Sequence, residues 1–298
     1  MPVILVSFVL SCSTDGSIQQ ILGRSVQAPV FLGCQPVSST EISFRFSLPV
    51  SVVSLNFDLP LEIDHIEDGR EVKIRFSRPL EEGIRLTADI LVEDADRNSL
   101  NVIVPFRTRN DRMPALVINE LRTEYSRPRV EFVELLALGP GNLGAIRLFI
   151  AGHSLTKPVY EFPPAEVKAG QYIVLNLRTL DEGSADGNGE FWIPGSSKLL
   201  HKTSALWLMD QDDRIIDAVL LCENPEEWGK NNTIAAAEFL ELNGGWQGDA
   251  VRSGGTTATR TINRDEIPAP ACRAENWYIT VTSGASPGRP NNPGRYTP

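Results

Sequence analysis

Val117–Leu135, VINELRTEYSRPRVEFVEL, reads as a short apolar strand ending in Asn119-Glu120, a polar loop, and a second strand carrying Glu131-Phe132-Val133-Glu134-Leu135. Its counterpart late in the chain, Trp277–Asn291, WYITVTSGASPGRPN, is an aromatic strand that runs into a Ser286-Pro287-Gly288 stop. Together the two stretches bracket one compact β-unit. Neither contains a residue set that names a reaction.

At 298 residues the chain has room for two domains, each with its own core. Hydrophobic residues at 42% and charged residues at 22% place it among globular proteins. With 21 Pro and 23 Gly against 3 Met, the composition suits a turn-rich β protein. A net charge of −10 repels polyanions. Nucleic-acid binding needs clustered Lys and Arg to neutralise phosphates. The nearest approach to a cluster, Arg107 and Arg109 with Arg112, falls in a domain junction. No nucleic-acid partner is expected.

Between residues 28 and 110 the alternation is strict. Ile42, Phe44 and Phe46 alternate with polar residues, as do Val72, Ile74 and Phe76. Leu86, Ala88, Ile90 and Val92 follow the same rule, and so do Val102, Val104 and Phe106. A period of two puts one set in a core and the other in water. Asp68-Gly69 signals a hairpin turn, and short strands at this spacing predict a sandwich. The segment Phe46-Ser47-Leu48-Pro49 returns as Phe76-Ser77-Arg78-Pro79. With Leu86-Thr87-Ala88 and Val104-Pro105-Phe106-Arg107-Thr108, this unit resembles the bacterial immunoglobulin-like domains of surface-layer and adhesin proteins. The resemblance implies a spacer.

A polar linker ending at Pro114 leads to a second unit, residues 114–292. Strands are predicted at 116–120, 130–137, 145–150, 171–176, 205–210, 215–221 and 277–281, with Asp210–Arg214 as a hairpin turn. Asn232–Leu242, with a capping residue, good helix formers and a Gly244-Gly245 stop, predicts a short helix. Several of this unit's motifs match the lamin-tail domain, an immunoglobulin-like sandwich of nuclear lamins and secreted bacterial proteins. They are Ile118-Asn119-Glu120, Glu131–Leu135, Tyr160-Glu161-Phe162-Pro163, Gly170–Leu175, Asp217-Ala218-Val219, Arg264, Trp277 and Ser286-Pro287-Gly288-Arg289-Pro290-Asn291. The resemblance covers almost the whole unit. The stretch 223–258, which holds the helix with Trp228 and Trp246, is long for that family. Insertions on a rigid sandwich are where binding is commonly placed.

The first eleven residues contain an apolar run, Val3–Leu10, too short to span a bilayer. It ends at Ser11-Cys12 and a polar stretch. This resembles a bacterial lipoprotein signal of the relaxed form seen in spirochaetes, with no basic residue ahead of the run and Val9-Leu10 before Ser11. The resemblance implies cleavage before Cys12, acylation of Cys12, a tether over residues 12–27, and location in the cell envelope. The other reading of the run is a buried first strand. Of the remaining Cys34, Cys222 and Cys272, the last two fall in the second unit near the ends of apolar strands. They are candidates for a disulfide, one cysteine being left over.

Gly284–Gly288 fits the pattern G-x-S-x-G, but Pro287 and Pro290 forbid the helix that a nucleophile elbow requires. Glu120, Glu131 and Glu134 could form an acid/base pair. The plainer expectation is polar strand positions that face water or pair with Arg122, Arg127 or Arg129. Asp181–Glu190 lacks the carboxylate spacing of a calcium loop, no Cys/His spacing suggests zinc, and the three histidines are scattered. Trp228 and Trp246 could stack on a partner or clamp the helix to the sandwich. The expected fold is therefore all-β, with two tandem immunoglobulin-like β-sandwiches and a short helical insertion in the second. The expected role is a non-enzymatic, acyl-anchored envelope protein without cofactor that binds a protein or glycan through loops. The alternative is a carbohydrate-binding module or an accessory of a secreted hydrolase.

Overall fold

The alternating apolar residues form strands in the computed structural model, which describes residues 27–179, 189–265 and 273–298. By their packing these residues divide into two units. One comprises the chain through Leu80 with Arg85–Thr108, and the other comprises Glu81–Ile84 with Arg109–Pro298. The segment 81–84, read from the sequence as part of the first unit, therefore packs with the second.

The first unit holds β1 (Phe31–Ser38), β2 (Glu41–Phe57), β3 (Ile63–Glu67), β4 (Gly69–Phe76), β5 (Arg85–Glu93) and β6 (Ser99–Arg107). They run in the order β3-β4-β2-β5-β6, with β1 also on β2. The 17-residue β2 is longer than its first alternating run predicts. Its first half pairs with β1 and β4, and its second half, from Ser51, pairs with β5. Register shifts flank the change of partner. Pro49, which has no N–H to give a ladder, lies within the first of these shifts. The folded-over sheet encloses Ile42, Phe44, Phe46, Val72, Ile74, Phe76, Leu86, Ala88, Ile90 and Val92, all buried. Phe57 meets Phe76 and Phe106 edge-on, at 5.5 and 6.1 Å between ring centroids. This unit is a sandwich whose two layers share one strand.

The second unit contains β7 (Leu116–Arg122), β8 (Glu131–Ala137), β9 (Gly141–Asn142), β10 (Arg147–Ile150), β11 (Tyr160–Glu161), β12 (Glu166–Val167) and β13 (Tyr172–Thr179). It continues through β14 (Glu190–Pro194), β15 (Ser204–Met209), β16 (Ile215–Cys222), helix α1 (Thr233–Leu242), β17 (Val251–Arg252), β18 (Ile262–Arg264) and β19 (Trp277–Ile279). One layer is a six-stranded sheet, β14-β13-β8-β7-β18-β19. The other is five-stranded, β11-β10-β15-β16-β17, and β9 with β12 forms a small pair. Ile118, Leu121, Val133, Leu135, Ile173 and Leu175 of the first layer share one core with Leu148, Ile150, Leu206, Leu208 and Leu220 of the second.

Every residue of β15 is buried, because its sheet is covered on both faces. The outer cover is α1. Trp207 stacks on Phe149 at 5.3 Å and meets Phe239 of the helix at 5.7 Å, while Ala236 and Leu240 are buried. The helix ends as predicted, with Gly244 at φ +70 and the Gly245 N–H on the Leu240 carbonyl. Its start differs from expectation. Asn232 makes no capping bond, lies at φ 56, and donates from Nδ2 to the Ala151 carbonyl, tying the helix to the sandwich instead. The Asp210–Arg214 turn forms as read, with Asp210 Oδ1 accepting from the Asp212 and Arg214 amides.

Candidate functional site

Two polar regions stand out in the second unit, one sealed and one open. The sealed region corrects the expectation for the glutamates. Glu120, Glu131 and Glu134 are each 0% exposed, so none faces water; of the expected arginines, Arg122 acts electrostatically on Glu120. Register places Glu120 opposite Glu134 on β7 and β8, beside a bulge at Asn119. The outer face of this sheet, open to water in a simple sandwich, is covered here by the segment after β19. Glu120 accepts from Thr261 Oγ1 (2.6 Å), the Ser286 amide (3.0 Å) and Ser286 Oγ (3.0 Å). Glu134 accepts from Asn119 Nδ2 (2.7 Å) and the Gly288 amide (2.5 Å). Asn291 joins the same network through Asn119 and the Arg264 carbonyl.

Burial pushes the Glu134 carboxyl up to about 8, against the donors Asn119 and Gly288, and the Glu120 charge adds to the rise. Burial also raises Glu120 and Glu131, opposed in each by their hydrogen-bond donors. Behind them Arg264, 2% exposed, pairs with buried Asp217, donates to the Ile118 carbonyl (2.7 Å), and lies over the Trp277 ring at 4.7 Å. Asp217 in turn accepts the Ile118 amide. Carboxylates without exposed surface touch no solvent-borne substrate in this arrangement. Their chemistry is to hold the chain segment above them.

The open region is a cleft of about 350 Å³ lined by Glu124, Lys198, His201, Lys202, Thr203, Glu223, Glu227, Lys230 and Asn231. Three connections build it: β7–β8, β14–β15 and β16–α1. Lys198 pairs with Glu124 at 3.0 Å, and Lys202 lies between Glu223 (3.3 Å) and Glu124 (3.9 Å). Glu227 pairs with Lys230. Burial, reinforced by Lys198, lowers the His201 pKa and keeps its ring neutral near pH 7.

The cleft backbone is fixed from beneath. Buried Glu131 accepts the Leu199 and Leu200 amides (3.2 and 3.4 Å), and Arg178 completes its shell at 3.3 Å. Ser253 Oγ donates to the Lys202 carbonyl (2.5 Å), Asn231 Nδ2 to the Thr203 carbonyl (2.7 Å), and the Glu223 amide to Thr203 Oγ1 (3.0 Å). Polar groups held this way lose little freedom when a ligand arrives.

Residues 114–279 match the model of the TP_1001_2nd family, a protein second domain. The chain belongs to that family. It is also similar to an uncharacterized protein of Treponema pallidum (strain Nichols), at 28% identity over 196 residues, 64% of this chain and 50% of that protein. The chain thus spans half the length of that relative. Among solved structures it is similar to the N-terminal part of the bacterial S-layer protein SbsC (15% identity, 66% of this chain and 44% of that one, TM-score 0.27). A second is an L,D-transpeptidase from Mycobacterium smegmatis (9% identity, 58% and 90%, TM-score 0.20). At these scores neither likeness carries an argument about fold or function.

All the cleft residues lie inside the TP_1001_2nd segment, as do Trp228 and Trp246. Trp246 is 3% exposed, belongs to the core, and donates from Nε1 to the Asp249 carbonyl (3.1 Å). Trp228 is half-buried and packs against that core. Trp246 is therefore withdrawn from partner binding, a correction to that reading, while Trp228 keeps part of its surface exposed. Cys222 carries a free thiol, 3.0 Å from the Asn224 carbonyl, and its expected partner Cys272 lies outside the described residues. Cys12 and most of Asp181–Glu190 lie outside them too. Ser286 is bound to Glu120 and no helix follows it. His65 and His153 are exposed, whereas His201 reaches the cleft.

The sequence reading missed Glu124, Lys198, Lys202 and Lys230. Single charges in separate loops carry no local signal, and only the topology gathers them. It did single out 223–258 as an insertion, and Glu223, Glu227, Lys230 and Asn231 come from there.

Proposed function

We propose that this chain is a non-catalytic envelope protein, acyl-anchored at Cys12, whose lamin-tail-like second unit presents the charged cleft to a partner. The single observation that carries the reading is the cleft: ionic side chains from three loops on a backbone braced by buried hydrogen bonds. The lamin-tail likeness is supported by convergence. Asn119, Glu120, Glu134, Ser286, Gly288 and Asn291, quoted from opposite ends of the unit, meet in one network. The non-catalytic reading is supported by the burial of all three candidate carboxylates. With Trp246 inside the core, sugar stacking between the two indoles has no support.

The test uses full-length protein immobilised through an affinity tag and incubated with detergent-solubilised envelope from its own cells. Retention of an envelope component that is lost in Lys202→Ala/Glu223→Ala protein supports the reading. Equal retention by both proteins, or none by either, contradicts it. In the same cells a fatty-acid probe should label the wild-type protein and leave Cys12→Ala unlabelled.

A further inference from the structure

We propose that the cleft takes a zwitterionic ligand: a small molecule or chain end bearing both an ammonium and a carboxylate, as the free ends of a short peptide do. This rests on the cleft being a binding site and adds the class of its ligand. The lining carries three lysines and three glutamates, and the ring of His201 is neutral near pH 7. The formal charges therefore balance.

Lys198, Glu124, Lys202 and Glu223 follow one another as an alternating row of partners at 3.0, 3.9 and 3.3 Å. A ligand with one charge can enter this row only by drawing one member out of it, and the three that remain then carry one uncompensated charge in a partly enclosed site. That residual unpaired charge opposes binding. A ligand with both charges replaces a whole pair and leaves nothing unmatched.

Exposure along the row runs from 19% at Lys202 through 29% at Lys198 and 31% at Glu124 to 40% at Glu223, so its inner pairs interact more strongly than at open surface yet remain within a ligand's reach. Thr203 and Asn231 add polar groups at the base, although the Asn231 amide already serves the Thr203 carbonyl. No Trp, Tyr or Phe is among the lining residues, so a neutral sugar would lack the broad stacking surface such ligands use. The lining is also too polar for an apolar guest.

Full-length protein in detergent is titrated with triglycine, with N-acetyl-triglycine (carboxylate only), with triglycinamide (ammonium only) and with maltotriose, reading calorimetry and amide shifts. The expected result is binding of triglycine with shifts at Lys198–Thr203 and Glu223–Asn231. Each capped form should bind at least about tenfold more weakly, the equivalent of about 1.4 kcal/mol, and maltotriose should not bind. Lys202→Gln and Glu223→Gln, checked for unchanged circular dichroism, should each weaken triglycine by a similar factor.

Capped and free peptides of equal affinity, or maltotriose shifting the same amides, would overturn the proposal, and the wild-type comparison needs no variant. Silence of all four probes while envelope retention still depends on Lys202 and Glu223 overturns the ligand class and leaves the binding reading standing. Silence with retention indifferent to both residues overturns the two together.

Discussion

Glu134 shows what one covered carboxyl does to stability. Its folded pKa is raised from 4.5 to about 8, mainly by burial, so the folded state holds the proton more tightly than the unfolded chain. The associated stability is complete below about pH 4.5 and is lost as pH rises toward 8. Glu120 and Glu131, also raised, act in the same direction. The urea midpoint of the second unit should therefore fall between pH 5.5 and 8.5, and Glu134→Gln should flatten that fall. A midpoint that rises over this window would refute the assignment. Arg264→Leu is a separate case, since it strands Asp217 without its cation inside the sandwich. It should cost about 3–5 kcal/mol in the same assay. The sequence showed Glu120 and Glu134 as polar positions in strands, which a one-sided sheet would turn to water. What hid their burial is a distant event: Ser286 and Gly288 return to cover that face more than 150 residues later in the chain. The Ser286–Asn291 motif was visible, but the face it covers was not.

At the level of elements, local pattern and observed structure agree wherever one face is buried. β4 and β5 alternate as expected, and the Asp210–Arg214 turn closes its hairpin. They part where tertiary packing overrides the pattern. β2 runs on past Pro49 because its second half finds a new partner in β5, and Asn232 gives up capping for a bond to Ala151. Two-residue strands such as β9, β12 and β17 have no period to read. α1 was legible from its residues, but its role as the outer cover of β15 was not. Leu240→Ala should cost about 2–5 kcal/mol by opening space under that cover. It should also red-shift the emission of Trp207, which is 1% exposed against Phe239. Unchanged emission together with unchanged stability would mean that the helix is not the lid described. Glu131→Gln tests the bracing of the cleft, since a neutral acceptor holds the Leu199 and Leu200 amides more weakly. Hydrogen exchange at Lys198–Thr203 should speed up while Ile118 and Leu135 stay protected.

On the scale of the molecule, composition and periodicity were enough for an all-β chain of two sandwiches, because a fold class depends on sums over many residues. A cleft built from single charges on three loops is not such a sum. Glu124, Lys198 and Glu223 are far apart in the chain and look like ordinary solvated turns until the two sheets place them side by side. Among the described residues no helix is long and apolar enough to cross a membrane. On the reading proposed above, recognition belongs to the open cleft and the sealed carboxylates serve the fold. Amide hydrogen exchange on full-length protein, with and without solubilised envelope, tests it most directly. New protection is expected at Lys198–Thr203 and Glu223–Asn231, with none gained around Glu120, Glu134 and Ser286–Asn291. Protection centred on the Ser286–Asn291 segment, or confined to the first unit, would contradict it.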